Sequence, residues 1–105
     1  MFRSRVMTRA EKRIPMAVAV RIAGHAAMPG VETTFTEDVC SCGAKVYSAR
    51  RWKKNEHLQI STLAGDFRSA ARVAWCLPVR EIGFAIGLQF VEPSGNWVVA
   101  PAAAS

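Results

Sequence analysis

Apolar side chains recur at every second position along most of this chain, and no segment sustains the three-to-four spacing of a helix face. Met16, Val18, Val20 and Ile22 alternate with Ala17, Ala19 and Arg21, which predicts a half-buried strand. Met28-Pro29-Gly30 is a turn signal, after which Val31, Thr33 and Phe35 alternate with Glu32, Thr34 and Thr36. Ala44, Val46 and Tyr47 predict a short strand after Gly43, and the charged stretch 48–56 an exposed loop. Leu58 and Ile60 alternate with His57, Gln59 and Ser61. A long strand runs from Phe67 to Leu77, with Val73, Trp75 and Leu77 on one face and Arg72, Ala74 and Cys76 on the other. The clearest alternation is Ile82, Phe84, Ile86, Leu88 and Phe90 against Gly83, Ala85, Gly87 and Gln89. Trp97, Val98 and Val99 supply a last strand or a closing turn. Six strands with short connections in roughly 90 residues predict an antiparallel barrel or sandwich, and closure into a barrel would remove exposed strand edges.

Length and composition narrow this to one domain. With 105 residues, 50% of them apolar and 21% charged, the chain suits a single compact core rather than a disordered segment. Charge is uneven. Residues 1–13 carry Arg3, Arg5, Arg9, Lys12 and Arg13 against Glu11; residues 45–54 carry Lys45, Arg50, Arg51, Lys53 and Lys54 with no acid. The other 82 residues hold four cations and seven acids, so two basic segments sit on a mildly acidic body and suit an anionic partner. The organisation expected is a basic, flexible arm over 1–13, a barrel over 14–99 and a loose Ala-rich tail over 100–105.

Three cysteines argue against a disulfide framework. Cys40 and Cys42 on an extended segment would share a face roughly 7 Å apart, too far for easy bridging. Neither a C-x-x-C nor an H-x-x-x-H spacing occurs, so no metal is expected. The apolar run 14–20 behind basic residues imitates a signal peptide, but it is short and meets Arg21 at once. No apolar run nears the ~20 residues of a membrane helix. A cytoplasmic location is expected. His25 and His57 lack a partnered carboxylate or nucleophile in sequence and read as surface histidines. With no activated nucleophile, phosphate-cradling glycine loop or paired catalytic carboxylates, the chain is not expected to be an enzyme.

Two segments carry more specific chemistry. Arg9-Ala10-Glu11-Lys12-Arg13 precedes Ile14-Pro15 at the start of the first strand, and Asp38-Val39-Cys40-Ser41-Cys42-Gly43 joins the second and third. They resemble the R-x-x-x-R and [DN]-x-S-x-x-G signatures of the PilZ domain family. Residues 71–75 and 86–90 are similar to that family's late strands, so the resemblance covers about residues 9–92. It implies a six-stranded antiparallel β-barrel that binds cyclic di-GMP, with Arg9, Arg13, Asp38, Cys40 and Gly43 at the ligand. No further cofactor is implied.

The side-chain chemistry suits that role. A guanidinium fork matches both a phosphate and the O6/N7 edge of guanine, and can stack on a base. Asp38 would accept from guanine N–H donors or hold an arginine; alternatively it is a strand-end turn residue. Gly43 would allow a tight turn close to the ligand. Cys40 departs from the pattern, which has serine there, and a thiol is a weak hydrogen-bonding group. Two functions therefore stand: a cyclic di-GMP receptor whose arm orders over the ligand and is read by a downstream protein, or a barrel with a decayed site acting as a ligand-independent adaptor. No DNA partner is expected. The basic segment Arg50 to Lys54, interleaved with Trp52, would nevertheless suit a nucleic acid or an anionic lipid. A solvated loop whose tryptophan caps the barrel is the simpler expectation.

Overall fold

A computed structural model describes residues 12–100. Seven strands form, with no helix among the described residues: β1 (Ile14–Pro15), β2 (Ala19–Ala23), β3 (Val31–Cys40), β4 (Gly43–Ser48), β5 (His57–Thr62), β6 (Arg68–Val79) and β7 (Gly83–Ser94). All pairings are antiparallel. The order β3-β2-β5-β6-β7-β4 returns to β3 through the β3–β4 hairpin, closing a six-stranded barrel, and β1 is an extra strand on β3. Among the described residues no helix is long and apolar enough to cross a membrane.

The predicted first strand is split. Pro15 pairs with Asp38 and Ala19 with Phe35, so four steps on one strand match three on β3. One extra residue is therefore absorbed at 16–18 as a bulge. Thr36 bridges it: its hydroxyl donates to the Met16 carbonyl (2.6 Å) and accepts from the Val18 N–H (2.9 Å). An odd insertion exchanges the faces of a strand. Val20 and Ile22 consequently point into the core, whereas Met16, expected beside them, lies on the surface.

The same thing happens in β6. Val73 pairs with Leu88 and Trp75 with Gly87, so Ala74 is the extra residue. Val73 is fully buried while Trp75 and Leu77 are exposed, which corrects the expectation that all three share a face. A third bulge sits in β3, where Thr36 pairs with Val46 and Asp38 with Lys45. It turns Glu37 and Asp38 to the same outer surface.

The barrel interior is filled by Val20, Ile22, Val39, Val46, Leu58, Ile60, Val73, Ile86 and Leu88 with Ala44 and Ala71. Each of the larger side chains contributes about 1.5–3 kcal/mol on burial. Up-and-down strands place the connections 24–30, 49–56 and 80–82 at one end, here the loop end. The connections 41–42 and 63–67 and the segment after β7 lie at the other, the turn end.

A tryptophan closes each end. Trp52, only 2% exposed, plugs the loop end and donates Nε1–H to the Ser48 hydroxyl at 3.1 Å. Trp97 packs on Phe67 and Phe90 with ring centroids 4.7 and 4.9 Å away, and donates Nε1–H to the Cys40 carbonyl at 2.8 Å. No strand forms over residues 97–99; that segment is a closing turn. His25 is half-buried rather than free on the surface. Its Nε2–H donates to the Arg51 carbonyl at 2.7 Å, and its Nδ1 accepts from the Ala27 and Met28 N–H groups.

Candidate ligand-binding site

Arg13 and Asp38 meet because β1 pairs with the end of β3, two residues beyond the arginine. Arg13 Nε–H donates to Asp38 Oδ1 at 2.8 Å, and Nη2 lies 2.6 Å from the same oxygen. Only part of the five-donor fork is spent there. The pair is partly open to solvent, with the two side chains 46% and 22% exposed, so a competing anion can reach it. Arg9 lies outside the described residues.

Beside this pair is a cleft of about 240 Å³ on the outer wall of the barrel. Arg13, Cys40, Cys42, Trp75 and Gln89 stand around it, and Gly43, Gly87 and Leu88 form its floor. The β6 bulge aims Trp75 outward, and its indole lies across Gly87, where a Cβ would collide with the ring. The result is a flat aromatic wall on a glycine floor. Lys45 holds its ammonium 6.0 Å from the centroid of the same ring. Gln89 is oriented by Arg72, whose Nη2 donates to the Gln89 Oε1 at 2.6 Å while Nη1 donates to Asn55 Oδ1 at 2.7 Å. That leaves the Gln89 amide nitrogen as a donor toward the cleft.

Four of the five site residues proposed from sequence come together here: Arg13, Asp38, Cys40 and Gly43. Gly43 is in the floor, but a Cβ there would run into the Leu88 carbonyl on β7. Its smallness is required by strand packing as well as by any ligand. Cys40 is 2% exposed, and its Sγ lies 3.8 Å from that of Cys42. This replaces the larger separation expected of an extended segment, because the β3–β4 turn folds the two thiols toward each other.

Trp75, Gln89 and Arg72 were not among the residues proposed from sequence. Their signal was present in the small outward positions Ala85 and Gly87 of β7. A strand that carries small residues on its outer face leaves room for a large side chain from its neighbour.

Next to the cleft, the paired carboxylates of the β3 bulge divide their tasks. Glu37 accepts from the Tyr47 hydroxyl at 2.7 Å and sits 2.9 Å from Lys45 Nζ. The hydrogen bond from Lys45, reinforced by that from Tyr47, holds the Glu37 carboxyl below the usual carboxylate range. The same contact with Glu37 raises Lys45 and raises Tyr47. Asp38 is left for Arg13.

Among the described residues no group of three or more His, Cys, Asp or Glu side chains converges as metal ligands would. A scan of family models and a search of curated proteins both return no match to this chain.

Proposed function

We propose that this barrel is a receptor for cyclic di-GMP, with the ligand lying across the cleft mouth between the Arg13–Asp38 pair and Trp75. One observation carries the reading. The two sequence segments that resemble the PilZ signatures, 25 positions apart at Arg13 and Asp38, meet in an ion pair beside a cleft that also contains Cys40 and Gly43. A cyclic dinucleotide offers two phosphates and two flat purines. The guanidinium of Arg13 suits a phosphate or a guanine edge, each bidentate contact being worth about 1–3 kcal/mol. Trp75 offers a face for stacking, and Gln89 an amide donor.

A cleft of about 240 Å³ is smaller than the ~300–1,000 Å³ typical of enclosed small-molecule sites. A bound dinucleotide therefore needs a cover from outside the barrel wall. The basic segment 1–11 leads directly into Arg13 and supplies Arg9 for that purpose. Closing it costs ordering entropy, which charge-assisted contacts offset. A downstream protein would read the composite surface of arm, ligand and barrel.

Calorimetric titration tests this. Wild-type protein is expected to bind cyclic di-GMP with micromolar or tighter affinity, and Arg13→Ala to lose at least tenfold. No heat at tens of micromolar ligand would refute it. The second reading, an adaptor that ignores the nucleotide, is favoured by the near-complete burial of Cys40, which leaves that side chain little surface to offer. Cys40→Ser separates the two: a gain in affinity identifies a weakened receptor, and silence in both proteins an adaptor.

A further inference from the structure

The loop end of the barrel concentrates positive charge that no acid among the described residues pairs with. Anchoring of the 49–56 connection rests on Trp52 and on backbone contacts. The Arg50 N–H donates to Ser48 Oγ, the Lys53 N–H to Glu56 Oε1, and the Ala49 N–H to Glu32 Oε2. Glu32 thus accepts from the Ala49 N–H and the Ser48 hydroxyl and Glu56 from the Lys53 N–H, and the other acid of this end, Glu81, is exposed beside Ile82. Arg51, Lys53 and Lys54 are exposed and make no ion pair among the described residues, whose two ion pairs both lie beside the cleft. The three cations surround a groove of about 480 Å³ whose other lining residues include no acid. Like charges gathered around one groove repel one another, and an anion relieves that repulsion.

The apolar surroundings discriminate between anionic partners. Single-stranded nucleic acid needs open aromatic faces between its cations. Here Trp52 is buried and Phe84 is half-buried, so neither ring presents a fully open face. By contrast, two aliphatic side chains project from the flanking connections: Met28 is 48% exposed and Ile82 is 47% exposed. Both adjoin the basic loop. Arg50 Nη1 donates to the Met28 carbonyl at 2.9 Å, and Ile82 shares a groove with Ala49. Projecting apolar tips beside a cationic cluster match the boundary between acyl chains and anionic headgroups.

We infer that the loop end is a docking surface for an anionic lipid bilayer, with Arg51, Lys53 and Lys54 on the headgroups and Met28 and Ile82 entering the acyl boundary. It lies at the opposite end of the strands from the β3–β4 turn at the ligand cleft, so the barrel could hold a membrane and a nucleotide together.

Co-sedimentation with vesicles checks this. Wild-type protein is expected to pellet with phosphatidylcholine vesicles containing phosphatidylglycerol and to stay in solution with phosphatidylcholine alone. Lys53→Gln/Lys54→Gln should weaken partitioning about thirtyfold, and Met28→Ser/Ile82→Ser about tenfold. All four side chains are exposed, and the near-ultraviolet circular dichroism of buried Trp52 verifies folding. Three results would overturn the inference. One is wild-type protein left in solution with anionic vesicles at low salt, and another is full binding of those vesicles by the lysine variant. The third is tighter binding of an oligothymidine strand than of vesicles, lost in the lysine variant, which would assign the surface to nucleic acid. Cyclic di-GMP affinity of the lysine variant is expected to be unchanged, so either function can fail without the other.

Discussion

Glu37 and Asp38 are adjacent in sequence, yet both reach the same outer surface because the β3 bulge cancels the alternation between them. Their partners give them different titration behaviour. Glu37 is depressed by Lys45 first and Tyr47 second, so its contribution to stability is complete above its unfolded value and is lost as pH falls through the folded one. Lys45 and Tyr47 are raised by Glu37, so theirs is complete below their unfolded values and is lost as pH rises through the folded ones. The trio is intact between the acid and alkaline limbs. Carbon-13 titration of the Glu37 carboxyl is expected to give a midpoint below the usual carboxylate range, moving up toward it in Lys45→Met. An ordinary midpoint in both proteins would show that the contact is not made in solution. The residue types at the cleft were readable as chemistry, but not their distances. The extended-strand estimate for Cys40 and Cys42 failed because their separation is set by a turn, where side chains no longer follow a strand's pleat.

Period-two alternation identified the strands well and their faces less well. Val20, Ile22, Leu58, Ile60, Ile86 and Leu88 point inward as their spacing requires. Met16, Trp75 and Leu77 do not, and each lies beyond a one-residue bulge. A bulge adds a residue without interrupting the run of suitable side chains, so the sequence pattern carries no mark of it. The Thr36 hydroxyl is what stabilises the first one. Thr36→Val keeps the shape but leaves the Met16 carbonyl and Val18 N–H without their partner. A loss of about 2 kcal/mol is expected in urea unfolding, with the slope unchanged. A change below about 0.5 kcal/mol would mean that backbone contacts alone hold the bulge.

At the scale of the molecule, closure of the barrel depends on β4, which pairs with β3 on one side and β7 on the other. Gly43 begins that strand where a Cβ would meet the Leu88 carbonyl. Gly43→Ala is therefore expected to cost about 1–3 kcal/mol in denaturant unfolding even without ligand. Wild-type stability in that variant would show that the glycine serves only the cleft. Hydrophobic patterning and short connections leave a barrel or a sandwich open, and the resemblance selects the barrel; a capping tryptophan at position 52 is also expected from the sequence, whereas the role of Trp97 is less legible. Trp97 sits in a segment without periodicity, and only the closed turn end gives it a task. Closure also restricts how other proteins can approach. In the described barrel every strand of the ring has a neighbour on both sides, and the extra strand β1 is two residues long and ends in proline. A partner finds unpaired backbone along the ring only where one strand outruns its neighbour, as β6 does when it continues to Val79 past its last β5 partner, Arg72, so strand addition is confined to such short overhangs. Elsewhere a partner must grip side chains and loops, and specificity there is open to change one substitution at a time.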